Sequence, residues 1–169
     1  MMIRQIFLDM DGVLCGFEKA AIELGVLDMK TRQLDWNTLF AAGARFWEEL
    51  EWINEGKKLY DFLESFCKDH NISLCILSSV PNKAGETGKK NWIRINTKIN
   101  PMNVHIVQKA ANKANFANEE SILVDDFSKN VRAFIQAGGN AIKFKQNAEE
   151  VIEKIITYRK QIGSFGQEL

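Results

Sequence analysis

The stretch IFLDMDGVLCGF, residues 6–17, is an apolar run that ends in Asp9 and Asp11, with Gly12 directly after. Ile6, Phe7 and Leu8 read as a buried strand, so two carboxylates stand at its mouth. Like charges that close repel, and desolvation adds to the cost. Such a pair needs a compensating group, and the rest of the chain has to supply it.

Working outward, IRQIFLD (3–9) reads as the first strand and GFEKAAIELGV (16–26) as a helix after a glycine-bearing turn. Residues 28–52 are irregular and aromatic-rich, with short helical patches. EGKKLYDFLESFCKDH (55–70) carries Leu59, Phe62, Leu63 and Phe66 at helical spacing. ISLCILSS (72–79) is a second buried strand, GKKNWIRINTK (88–98) a helix and NVHIVQ (103–108) a short strand. SILVDD (121–126) is another apolar strand ending in paired aspartates. SKNVRAFIQAGG (128–139) is a helix stopped by glycine. AIKFK (141–145) is a last strand, and AEEVIEKIITYRKQI (148–162) a closing amphipathic helix.

Strands alternating with helices predict an α/β fold, a Rossmann-like three-layer sandwich with a parallel sheet. The 169 residues fit a single domain, and residues 17–54, which break the alternation, read as a small helical cap inserted after the first strand. Sites in such sheets lie outside the carboxyl ends of the strands. Asp9, Ser78, Ser79, Asp125 and Asp126 all fall there.

The chain is 46% hydrophobic and 26% charged, an ordinary balance for a chain with a core. Lys+Arg and Asp+Glu are both 22, which argues against bulk electrostatic binding of nucleic acid. Cys15, Cys67 and Cys75 form no C-x-x-C pair and are odd in number, which disfavours a disulfide framework or a zinc site and points to a reducing compartment. No leader and no membrane-length apolar run is visible, so a cytoplasmic protein is expected. Oligomeric state stays open, a homodimer included.

Four carboxylates at one edge of a chain without net charge call for a cation, and oxygen ligands favour Mg²⁺ over zinc. A cation between Asp9 and Asp126 offsets the repulsion and holds a phosphate oxygen. Ser78 and Ser79 offer hydroxyl and backbone donors, and a lysine within 109–113 adds positive charge. A carboxylate can accept a phosphoryl group, while a second protonates the leaving oxygen and later takes a proton from water. A lone D-x-D-G also suits a turn or a Ca²⁺ loop, but an EF-hand needs flanking helices and here a strand precedes.

DMDGV (9–13), the strand-end serine of ILSS (76–79), a downstream lysine and ILVDD (122–126) resemble, in order, the four motifs of the haloacid dehalogenase-like superfamily. The resemblance implies Asp9 as nucleophile, Asp11 as acid/base and Ser78 as phosphoryl ligand. It places Mg²⁺ on Asp9, the Asp11 carbonyl and Asp126, with Asp125 near. Lys113, favoured over Lys109, would be the motif lysine. Dehalogenases of this superfamily typically lack the second aspartate. DMDGVLCGFE (9–18), FWEEL (46–50), the serine pair followed by Pro81, and AGGNAI (137–142) further resemble the 5'(3')-deoxyribonucleotidase branch. That implies a small-molecule phosphate ester as partner, a (deoxy)nucleoside monophosphate, with its base against Phe17, Trp36, Phe46 and Trp47. An arginine often follows the paired aspartates in that branch; Phe127 stands here. The alternatives are a sugar phosphate, a polynucleotide 3'-phosphate end, or a non-catalytic phosphate-binding protein. Trp92 is expected in the core, and His70 and His105 carry no assigned chemistry. Lys89 and Lys90 are expected on a solvated helix face, with phosphate steering as the alternative.

Overall fold

The first strand, β1 (Gln5–Leu8), lies at the centre of a five-stranded sheet. The computed structural model describes residues 2–164. β1 is flanked by β2 (Ser73–Ser79) and β4 (Ser121–Asp125), with β3 (Val104–Val107) and β5 (Asn140–Lys143) at the edges. The order is β3-β2-β1-β4-β5, and every pairing is parallel. This is a Rossmann-like α/β sheet, as the alternation of elements predicts.

Side chains alternate across the sheet with a period of two. Phe7, Cys75, Leu77 and Leu123 point to one face, where they meet Phe134. Ile6, Leu8, Ile76, Ile122 and Val124 point to the other and join the larger core. Helix α6 (Ser128–Gln136) and a 3-10 segment (Ala110–Phe116) lie beside β4, β5 and β2. Helix α4 (Asn54–Asp69) packs on β2 and against α7 (Ala148–Ser164). Both faces of the central strands are therefore covered, which explains their unbroken apolar runs.

The cap occupies the long excursion between β1 and α4. It contains α1 (Phe17–Glu23), α2 (Trp36–Ala41) and α3 (Ala44–Glu48). Asp35 caps α2, accepting from the backbone N–H groups of Asn37 and Thr38. The two ends of the excursion run side by side, because Gly16 N–H donates to the Glu51 carbonyl and Ile53 N–H to the Leu14 carbonyl, at 2.9 and 2.8 Å.

One helix departs from its expected limits. α5 spans Lys83–Asn96, starting five residues before the expected 88. Asn82 caps it by accepting from Gly85 N–H at 2.8 Å. Gly85 falls before the expected helix and Gly88 at its first residue, and packing requires both. A Cβ on Gly88 would lie 2.2 Å from the Ala44 carbonyl oxygen, so glycine lets α3 of the cap press against α5. Asn91 donates to Glu48 and the Trp92 indole N–H to the Leu50 carbonyl at 2.6 and 2.7 Å, fastening the same contact. The short 3-10 segment over 110–116 is likewise absent from the sequence reading.

Candidate active site

Strand register assembles the site. Leu8 pairs with Ile76 and with Val124, so Asp9 lies level with Leu77 and Asp125, and Ser78 and Asp126 follow one residue further on. Asp9 N–H extends the ladder by donating to the Val124 carbonyl at 2.9 Å. Beyond it the chain must turn sharply, and Gly12 permits this with φ of +77°. The same glycine leaves room for a carboxylate, since a Cβ there would lie 2.2 Å from Asp126 Oδ2.

Asp9 is 6% exposed. Its Oδ1 accepts from Met10 N–H at 2.8 Å and meets Lys113 Nζ at 2.9 Å. Both contacts fall on Oδ1 and neither on Oδ2, and Asp9 helps to line the cavity. Lys113 is 2% exposed and also bridges Asp125 Oδ2 at 2.7 Å. Burial alone would lower its pKa, but the charges of Asp9 and Asp125 outweigh that and hold the ammonium above its ordinary range. Of the two lysines left open by the motif, Lys113 therefore pairs with Asp9, and Lys109 is exposed.

Asp125 and Asp126 are not equivalent. Asp125 is fully buried, and its two oxygens receive Lys113, both bonds from the Asn130 amide, and Phe127 N–H. It braces the site. Asp126 reaches the cavity. Desolvation of its carboxyl, then the charges of Asp9 and Asp125, push its pKa up to about 7. Ligand oxygens of Asp9, Asp125 and Asp126 lie within 4.8 Å of one another. Three hard oxygen donors so close fit Mg²⁺, with Asp9 and Asp126 as the carboxylates free to ligate it.

Asp11 lies on the cavity wall. Burial and the charge of Asp9 raise its pKa, while Lys89 opposes the rise. Lys89 corrects the sequence reading: it is 0% exposed rather than solvated, whereas Lys90 does face solvent and pairs with Glu86. Its ammonium donates to Asp11 Oδ2 at 2.6 Å, Ser78 Oγ at 2.9 Å and the Ser79 carbonyl at 3.0 Å. Gly85, Gly88, Lys89, Trp92 and Ile93 form the buried stripe of α5, at helical spacing. That stripe is the signal that finds Lys89 once the helix starts at 83.

The cavity above these groups has a volume of about 520 Å³. Ser78, Ser79, Phe17, Trp36 and Trp47 all line it. Trp47 is almost wholly buried, held by the α3–α5 contact, and Trp36 is 42% exposed. Phe46 does not line the cavity. It packs edge-on against Phe17 and Trp47, at ring separations of 5.7 and 5.1 Å, and supports them from behind. Phe127 is a lining residue that the sequence reading did not count among the aromatics of the pocket. It is 56% exposed and follows directly on Asp126.

No protein-family model and no curated protein matches the sequence. Solved structures do match the fold. YfnB of Bacillus subtilis, assigned as a HAD hydrolase and solved with bound magnesium, superposes with a TM-score of 0.59 at 13% identity, covering 90% of this chain and 98% of that one. The haloacid dehalogenase-like family protein SP0104 of Streptococcus pneumoniae gives 0.54 at 17% identity, over 83% and 84% of the two chains. L-2-haloacid dehalogenase of Xanthobacter autotrophicus gives 0.52 at 12%, over 84% and 77%. The fold is thus that of the haloacid dehalogenase-like proteins. Among the described residues no helix is long and apolar enough to cross a membrane.

Proposed function

We propose that this chain is a Mg²⁺-dependent phosphomonoesterase that works through an aspartyl-phosphate on Asp9, with nucleoside monophosphates, deoxynucleotides among them, as substrates. The observation that carries the reading is the convergence of Asp9, Asp11, Ser78, Lys113 and Asp126 on one cavity at the carboxyl edge of the sheet. The bound magnesium of the YfnB structure supports the choice of metal. Asp11 at the cavity supports ester hydrolysis over dehalogenation, given the resemblance described above.

Asp9 Oδ2 attacks phosphorus in line, and the phosphorus–oxygen bond to the leaving group breaks. Asp11 delivers its proton to the departing oxygen. In the second half, Asp11 takes a proton from water, the hydroxyl oxygen bonds to phosphorus, and Asp9 leaves as a carboxylate. Lys113 and the Ser78 hydroxyl face the transferring oxygens. Mg²⁺ held by Asp9 and Asp126 would supply the positive charge that the transferring group requires. The base would lie among Phe17, Trp36 and Phe127, where aromatic faces stack without reading sequence.

The test is a panel of phosphate esters with and without Mg²⁺, run on the wild type and on Asp9→Asn. Turnover of deoxynucleoside monophosphates that needs Mg²⁺ and vanishes in the variant is expected. Near-wild-type hydrolysis by a folded Asp9→Asn protein rejects the nucleophile. Strong preference for polynucleotide 3' ends or sugar phosphates rejects the substrate.

A further inference from the structure

Two buried lysines approach the site, and their surroundings assign them different work. Lys113 lines the cavity; Lys89 does not. An ammonium has three protons to donate. In Lys89 they go to Asp11 Oδ2, Ser78 Oγ and the Ser79 carbonyl, at 2.6, 2.9 and 3.0 Å. Nothing is left for a phosphate, and no path leads from Nζ to solvent, since the side chain is wholly buried.

The consequences at each partner follow from hydrogen-bond chemistry. Ser78 Oγ accepts from Lys89, so its single proton is free to point into the cavity. Asp11 Oδ2 is tied to Lys89, which leaves Oδ1 as the oxygen that carries and delivers a proton. The Cys15 thiol has one weakly donated proton and lies nearer the Met10 carbonyl, at 3.4 Å, than Oδ1, at 3.7 Å, so it competes little. Lys89 also stands next to Gly88, the point where α5 meets the cap, so its backbone is held on a rigid element.

We propose that Lys89 is a positioning residue: it orients the proton-transferring carboxylate of Asp11 and aligns it with the phosphoryl-binding hydroxyl of Ser78, without touching substrate. The proposal rests on the phosphomonoesterase reading above. It predicts a dependence on the leaving group that neither a structural lysine nor a phosphate ligand would produce. An aryl ester such as p-nitrophenyl phosphate leaves as a stabilised phenolate and needs no proton. An alkyl ester such as thymidine 5'-monophosphate leaves as an alkoxide and needs the acid.

The experiment compares kcat/KM, which reports phosphoryl transfer to Asp9 and not the hydrolysis of the phosphoenzyme that both esters share, for both esters in the wild type, Lys89→Met and Lys89→Gln. General acid–base groups contribute about 10²–10⁴-fold, so the alkyl ester should lose about 10²–10³-fold in kcat/KM. The aryl ester should lose only about fivefold in kcat/KM, through the loosened Ser78, while kcat falls for both esters because both need Asp11 to hydrolyse the phosphoenzyme. Lys89→Gln keeps hydrogen-bond donors in a smaller side chain. It should show the same split in weaker form, and it decides the question if the methionine variant does not fold. Equal proportional losses of kcat/KM on the two esters, large or negligible, overturn the proposal, as does an alkyl-ester loss that comes from KM alone. Wild-type inactivity on both esters, or turnover that survives Asp9→Asn, instead refutes the phosphomonoesterase reading and the proposal with it.

Discussion

Replacing Lys113 by methionine removes one cation from the most acidic point of the molecule while roughly keeping its volume. Lys113 makes ion pairs of 2.9 Å to Asp9 and 2.7 Å to Asp125, both partners buried. Removing one partner of a buried pair leaves an uncompensated charge and costs about 3–5 kcal/mol. With 169 residues the entropy of unfolding is about 0.35 kcal/mol/K, so the midpoint should fall by about 8–14 °C in metal-free buffer at pH 7. The deficit has a direction with pH. Without the ammonium, Asp9, Asp125 and Asp126 repel one another within 4.8 Å, and the folded pKa values of Asp125 and Asp126, already raised by burial and by their neighbours' charges, rise further above the unfolded ones. Groups raised in the folded state contribute stability at low pH and lose it as pH increases. The variant should therefore approach the wild type in acid and depart furthest above neutrality. Mg²⁺ supplies a replacement charge, and saturation at 100 times its dissociation constant adds about 2.7 kcal/mol. The variant should gain more from it than the wild type, in which Lys113 competes for Asp9. Calorimetry across pH, with and without Mg²⁺, reads all of this. A shift below about 3 °C at neutral pH, or a deficit that grows in acid, would refute the electrostatic reasoning.

Two further perturbations probe the same architecture. Asp126 sits at about 7 against an ordinary 3.8, so the stability it contributes is full below the ordinary value and lost as pH climbs through 7. Asp126→Asn should give a flatter melting profile between those limits than the metal-free wild type, and saturating Mg²⁺ should flatten the wild-type profile; an unchanged slope in the variant contradicts the assignment. Gly88→Ala places a Cβ 2.2 Å from the Ala44 carbonyl oxygen, so α3 must shift away from α5. Overpacking of this kind costs about 1–3 kcal/mol, more than the gain of up to about 1 kcal/mol in helix propensity. A higher urea midpoint in Gly88→Ala would mean that the contact between cap and core is softer than its geometry implies.

The chain by itself determined the strands and the acidic edge. Ile6–Leu8, Cys75–Leu77 and Ile122–Val124 are apolar on both faces, a pattern that only a covered parallel strand needs, and each ends on a polar residue. Which groups meet was a matter of register and packing. Two aspartates in a row look alike in sequence. The fold gave Asp125 to Lys113, Asn130 and the backbone, and left Asp126 to the cavity. Three neighbouring aromatics in the cap look alike too, yet Phe46 packs behind Phe17 and Trp47 instead of facing the cavity. Lys89 shows the limit most clearly. In a list of residue types a lysine belongs to solvent, because burying a charge is costly unless it is paired. Its partners, Asp11 and Ser78, lie 78 and 11 residues away in the chain, and only the closure of α5 over the sheet edge brings them within reach.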